Sequence, residues 1–368
     1  MPNYNTTVAS ILMYLFFSLE AKSAEIADVS GPSAVVFGDS IASGAATHPA
    51  MEFDGDVLWE ILSGQKSVSP QKADVPFLGD LELDPPSVVL PTPSEVMNHP
   101  LIASSEILMQ TIGSVFLNTE EYSWGYQVAR KQGVPGKKIF FASSNGARSG
   151  NFSVQVQRFL SLSGGKLPKF VFVMLTGNDL CSPYGNGVTS PELFHSNIEA
   201  AIKLLGSAVP HPEGTRLILA GILPITQLYQ SASILDKKVK AHGKEVSCRD
   251  LRESSFARPE GTAAKYLIPA QFSQVFPPNP SLMCPNLFAP EKLMKDQISE
   301  VATTASLYRD KLASIALASS GKTKGLSVEY VGELSKITLD AADIAQDCFH
   351  LSAVGHSKIA SKVIESMP

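Results

Sequence analysis

The chain has 368 residues, 44% of them apolar and 18% charged, and a formal net charge of −5. That length suits one large domain or two ordinary ones, and the composition is that of a globular protein and excludes a disordered chain. No Lys/Arg cluster stands out. Nucleic-acid binding, which rests on neutralising phosphates, is not expected.

In chain order, the first feature is an apolar run from Val8 to Leu19. It is short for a membrane span. Small residues follow at Ala21, Ser23 and Ala24, as after the apolar core of a signal peptide, although no Lys or Arg precedes the run. A signal peptide over residues 1–24 is expected, with one domain over 30–368 and a secreted or otherwise extracytoplasmic location.

Five short, continuous apolar runs then predict strands covered on both faces: Ala34–Phe37, Lys138–Ala142, Lys169–Leu175, Arg216–Ile222 and Leu326–Tyr330. Helical patterns lie between and after them, over Tyr122–Lys131, Phe152–Leu162, Glu192–Leu205, Pro290–Ala318 and Ser352–Glu365. The alternation predicts an α/β fold, a three-layer α/β/α sandwich around a five-stranded, mostly parallel sheet. Two connections exceed a simple crossover. Residues 64–120 are proline-rich, and residues 236–288 turn from polar to proline-rich. Long insertions of this kind serve as binding loops or lids, or decorate the surface.

In parallel α/β sheets, ligands bind beyond the carboxyl ends of the strands. Four short blocks fall at such places. Gly38-Asp39-Ser40 directly follows the first strand, so Ser40 would present its hydroxyl at a strand tip. Ser144-Asn145-Gly146-Ala147-Arg148-Ser149-Gly150 follows the second strand, and Thr176-Gly177-Asn178-Asp179 the third. Asp347-Cys348-Phe349-His350 precedes the last helix and sets a carboxylate and an imidazole three residues apart. A serine, a histidine and an aspartate are the parts of a nucleophilic hydrolase. His356 lies at the start of the last helix and is expected to be exposed there. His48, His99, His195, His211 and His242 are expected at the surface.

Together the four blocks resemble the GDSL, or SGNH, family of serine esterases and lipases, over about residues 34–365. Ile41 stands where the family name has leucine. The resemblance implies Ser40 as nucleophile, His350 as general base and Asp347 as its orienting acid. It implies an oxyanion hole made by the Ser40 N–H, the Asn178 side chain and a glycine N–H. The Asn-x-x-x-Ser-Gly spacing fits Gly150 best, with Gly146 as the competing assignment. A glycine suits the place because a side chain would block the substrate carbonyl. No metal or other cofactor is required. Glu121-Tyr122-Ser123-Trp124-Gly125-Tyr126, Gly177–Cys181 and Met283-Cys284-Pro285-Asn286 look like the catalytic part of acyloxyacyl hydrolases and secreted phospholipase B-like lipases. The expected substrate is an acyl or lipid ester. A carbohydrate O-acetylesterase is the alternative within the family, and a non-catalytic ligand-binding module the alternative outside it. Apolar clusters at Leu101-Ile102, Ile107-Leu108-Met109 and Val115-Phe116-Leu117 fit transient contact with a lipid surface, and equally plain core packing.

Cysteines number four: Cys181, Cys248, Cys284 and Cys348. No two lie closer than 36 residues, so no zinc motif is formed. An even count behind an export signal predicts two disulfides. Cys181 and Cys348 each adjoin a catalytic block, and the pairing expected is Cys181–Cys248 with Cys284–Cys348, tying the second insertion to the rim of the site.

Overall fold

A computed structural model describes residues 32–48, 75–88, 119–175, 177–181, 188–241, 244–253, 284, 294–319, 321 and 324–367. The expected signal segment, most of the first insertion with its apolar clusters, and residues 254–283 of the second lie outside them.

Eight strands are described: β1 (Ala34–Gly38), β2 (Ser87–Val88), β3 (Ile139–Phe141), β4 (Phe170–Met174), β5 (Thr215–Ala220), β6 (Lys238–Ala241), β7 (Lys244–Ser247) and β8 (Leu326–Val331). The helices are α1 (Trp124–Lys131), α2 (Phe152–Leu162), α3 (Gly177–Cys181), α4 (Pro191–Ser207), α5 (Gln227–Gln230), α6 (Ala232–Leu235), α7 (Cys248–Glu253), α8 (Met294–Ser319) and α9 (Ala353–Ser366). The central sheet runs β2-β3-β1-β4-β5-β8, and every pairing in it is parallel. It has six strands, not the five expected. The sixth, β2, comes from the first insertion and pairs with β3 at the edge. An antiparallel hairpin, β6–β7, stands apart in the second insertion.

Side-chain alternation in β1 defines the two outer layers. Val36 and its β4 partner Phe172 point to the side covered by α1, where Trp124 packs edge-on against Phe172 at 5.8 Å between centroids. Phe37 points to the other side, onto Phe152 and Phe159 of α2 at 5.5 and 5.7 Å. The α9 helix packs with α1, and α4 with α2 and α8. All five residues of β1 and of β4 are buried. Strands closed in on both faces need apolar side chains on both, which is why they read as continuous apolar runs.

The disulfides join Cys181 to Cys284 and Cys248 to Cys348. This corrects the expected pairing of Cys181 with Cys248 and Cys284 with Cys348. The physical reason lies in the insertion, whose two ends go to different places. Its hairpin folds back onto the loop carrying Cys348, and Cys284 is buried in the main core with Cys181. Bridges spanning 103 and 100 residues cost little more to close than shorter ones would, because closure entropy grows only with the logarithm of length.

Candidate active site

The site begins where β1 ends. Gly38 has φ 150°, and a Cβ there would lie 2.2 Å from the Met174 carbonyl oxygen on β4, so no other residue fits. Gln155, a buried polar residue on the inner face of α2, fixes this turn from both sides. Its Oε1 accepts from the Gly38 N–H at 3.1 Å and its Nε2 donates to the Gly38 carbonyl at 2.8 Å. Asp39 Oδ1 accepts from the Ile41 N–H at 3.0 Å. The turn leaves Ser40 only 8% exposed.

Ser40 Oγ lies 2.9 Å from His350 Nε2, and His350 Nδ1 lies 2.5 Å from Asp347 Oδ2. The other carboxylate oxygen of Asp347 accepts the N–H groups of Phe349 at 3.0 Å and His350 at 2.9 Å. This local turn puts the acid and the imidazole side by side. An ionised carboxylate only accepts, so Nδ1 carries the proton and Nε2 turns its lone pair to Ser40. The loop is closed by a bridge between Ile344 and Leu351 and by the Ala345 N–H donating to the His350 carbonyl at 2.8 Å. Cys348, inside the loop, has φ 61°, a left-handed conformation uncommon for a residue with a side chain.

The second and third blocks are bound to each other. Asp179 accepts from the Ser149 N–H at 2.7 Å and the Ser149 hydroxyl at 2.8 Å. Asn197 of α4 donates to Ser149 Oγ at 3.0 Å. Asn178 Nδ2 donates to the Ala147 carbonyl at 3.1 Å, and its amide has a second hydrogen for another acceptor. The Gly177 backbone abuts Asp39, since a Cβ there would meet Asp39 Oδ2 at 3.4 Å. Gly150 is exposed, in a short 3₁₀ turn over Ser149–Asn151. An added Cβ would meet only Asn197 Nδ2, at an ordinary 3.6 Å. Among the described residues, no atom therefore demands glycine at 150. At Gly146 the φ of 76° favours it.

Burial shapes the titration of two neighbours. Asp39 is pushed up to about 6, chiefly by loss of solvent, with the Ile41 N–H and His350 pulling it back. Its Oδ2 has no hydrogen-bond partner among the described residues. Desolvation also raises Asp179, opposed by its bonds to Thr189 and Ser149. His356 corrects an expectation. It is fully buried, its Nδ1 accepts from the Trp124 N–H at 3.2 Å, and burial followed by the nearby His350 lowers it to about 3. His48 is also buried, edge-on to Tyr122 at 5.6 Å. His195 and His211 are half-buried, and His99 and His242 lie outside the described residues.

Sequence reasoning singled out Ser40, Asn178, Asp347 and His350 but missed Gln155, Asn197 and Lys237. A signal existed for the first two. Gln155 lies among Phe152, Val156 and Phe159 on the buried face of α2, and Asn197 lies beside Phe194, Ile198 and Ala201 on α4. A polar side chain on an apolar face must find a partner. A cavity of roughly 340 Å³ opens beside the Asp347–His350 loop, lined by His48, Lys237 and Gln346 among others, but by none of the four candidate residues. Among the described residues, no cluster of three or more His, Cys, Asp or Glu is placed to hold a metal ion.

A serine hydroxyl, an imidazole and a carboxylate in series beyond the carboxyl edge of a parallel sheet are the arrangement of a serine hydrolase. Residues 35–363 match the family model of GDSL-like lipases and acylhydrolases, so the chain belongs to that family of ester hydrolases. Among solved structures, it is similar to a crystal structure of an acetyl esterase mutant with acetate ion. The two share 9% identity at a TM-score of 0.37, over 89% of this chain and 93% of the other. None of the curated proteins matches the chain by sequence.

Proposed function

We propose that the protein is an exported serine esterase or lipase that cleaves acyl esters, lipid esters among them, through a covalent acyl-enzyme. The observation that carries the reading is the 2.9 Å contact from Ser40 Oγ to His350 Nε2, backed by Asp347 on the opposite ring nitrogen. In the first step His350 takes the hydroxyl proton as Ser40 attacks the ester carbonyl, and Asp347 holds the tautomer and stabilises the imidazolium. Negative charge then develops on the carbonyl oxygen. The Ser40 N–H, the free hydrogen of the Asn178 amide and the Gly150 N–H are the donors assigned to it. His350 next protonates the leaving alcohol, and water attacks the acyl-enzyme by the reverse route.

Export is supported by the Val8–Leu19 run and by the pairing of all four cysteines, which suits an oxidising compartment. No helix among the described residues is long and apolar enough to cross a membrane. The lipid part of the reading, and the narrower kinship to acyloxyacyl hydrolases and phospholipase B-like lipases, rest on sequence blocks alone. The test is a fluorophosphonate probe with peptide mapping, followed by turnover of p-nitrophenyl esters of graded acyl length. Labelling confined to Ser40 and activity rising towards longer chains are expected. Activity on acetate alone would move the protein to the deacetylases.

A further inference from the structure

Residues 236–241 and 244–253 form a small unit of their own beside the main body. The β6–β7 hairpin and the start of α7 bury Val239, Val246, Cys248 and Leu251 in a cluster separate from the main core. Its fifth member is Cys348, from the middle of the Asp347–His350 loop. The unit grips that loop at two points. Cys248 is bonded to Cys348, and the Lys237 ammonium donates to the carbonyls of Ala341, at 2.9 Å, and Ile344. The two grips are joined at their base, where the Cys248 N–H donates to the Lys237 carbonyl at 2.9 Å. Asp340, Asp343 and Asp347 all face the Lys237 amine, which burial otherwise drives towards its neutral form.

The loop needs such a hold. Cys348 sits in a left-handed conformation between the acid and the base, and that turn is what lets Asp347 Oδ1 collect the N–H groups of Phe349 and His350. Left-handed backbone in a residue with a side chain persists only where its surroundings impose it. A change of a few tenths of an ångström at Cys348 would be passed directly to the 2.9 Å contact on Ser40. We infer that the 236–253 unit is a clamp that positions the catalytic loop, with Lys237 and the Cys248–Cys348 bridge as its positioning residues. The inference rests on the Ser40–His350–Asp347 reading above. It assigns part of the second insertion a task in the chemistry, distinct from covering the substrate.

The test compares wild type with Cys248→Ala, Lys237→Met and the double variant, on a short-chain p-nitrophenyl ester at a temperature well below melting. The expected result is a fall in kcat of tenfold or more in each single variant, with KM within twofold. Fluorophosphonate labelling of Ser40 should slow by the same factor while circular dichroism stays unchanged. A bridge that served stability alone would lower the melting temperature and leave kcat at the wild-type value. If Cys248→Ala does not accumulate, the wild-type protein is treated with a phosphine reductant, and the bridges are followed by alkylation and peptide mass. Activity should then fall in step with loss of Cys248–Cys348, not of Cys181–Cys284. A labelled, active wild type whose variants keep full kcat overturns the clamp alone. A wild type that takes no probe on Ser40 overturns the catalytic reading, and the clamp with it.

Discussion

Asp39 carries its carboxyl inside the protein, one residue before Ser40, with Oδ2 lacking a hydrogen-bond partner among the described residues. Its pKa stands near 6 against an ordinary 3.8. Between those values the folded state keeps a proton that the unfolded chain has released. Stability from this group is thus full below about pH 4, falls as pH rises to about 6, and stays low above. A displacement of about two units corresponds to roughly 3 kcal/mol. Asp39→Asn keeps the Oδ1 acceptor for Ile41 and deletes the charge. It should stabilise the protein by roughly 2–3 kcal/mol at pH 7.5 and hardly at all at pH 3.5. Urea melts of both proteins at the two values measure this, and parallel curves would refute it. Ser40→Ala removes only an oxygen and should abolish turnover with the fold intact; a variant keeping a tenth of wild-type kcat would exclude Ser40 as nucleophile. Asp347→Asn is the subtler change. The amide oxygen can still take the two loop N–H groups, but its NH₂ cannot accept from Nδ1. The ring is then pushed to the other tautomer, and kcat should drop by about 10³–10⁴-fold at unchanged KM.

Between elements, the junction of α1 and α9 turns on a single imidazole. The Trp124 N–H is one of the donors that a helix start leaves without an intrahelical partner, and His356 Nδ1 receives it. Protonation would delete that acceptor, and burial holds the group down at about 3 against an ordinary 6.5. The sign is opposite to that of Asp39. Stability from His356 is full above pH 6.5 and is lost as pH falls towards 3. His356→Leu, close in volume, should cost about 1–3 kcal/mol at pH 7 through the stranded N–H, and should flatten the loss below pH 6. A variant with wild-type stability at pH 7 would show that the contact carries nothing. The partners of His356 and Gln155 could not be read from the sequence, even where the apolar face of α2 marks Gln155 as needing one, because each partner lies more than 100 residues away. The same holds for β2. Two residues, Ser87 and Val88, become a strand only because β3 lies beside them. Among the strands that were legible, β1 and β4 are closed in on both faces, where burial writes an unbroken apolar run, whereas β8, at the sheet edge, alternates buried with more exposed positions. The α2 helix was legible to its last residue, since Phe152, Val156 and Phe159 mark one face at helical spacing. The candidate residues Ser40, Asp347 and His350 could be singled out for another reason: each sits in a short contiguous block of sequence.

For the whole molecule, the two bridges divide the work by location. Cys181–Cys284 lies in the main core next to Asn178, while Cys248–Cys348 holds the outlying hairpin to the catalytic loop. Cys284→Ala should lower stability by about 2–4 kcal/mol in denaturant melts. The folded protein, expressed in an oxidising compartment, should yield no free thiol to alkylation under denaturing conditions, and four would refute both bridges. The separation of Ser40 from His350 has a consequence in time as well as in space. Ser40 is synthesised 310 residues before His350, the base proposed for it. At translation rates of roughly 5–20 residues per second, the hydroxyl waits about 15–60 s for a partner. Throughout that interval the growing chain holds a serine with nothing to deprotonate it, so nascent chains should be inert towards esters. The pairing of β5 with β8, which brings the loop home, likewise forms only once residue 331 has emerged. On the proposed mechanism, activity should arise as a late, all-or-none event of assembly, and ribosome-bound chains halted before residue 347 should take no fluorophosphonate.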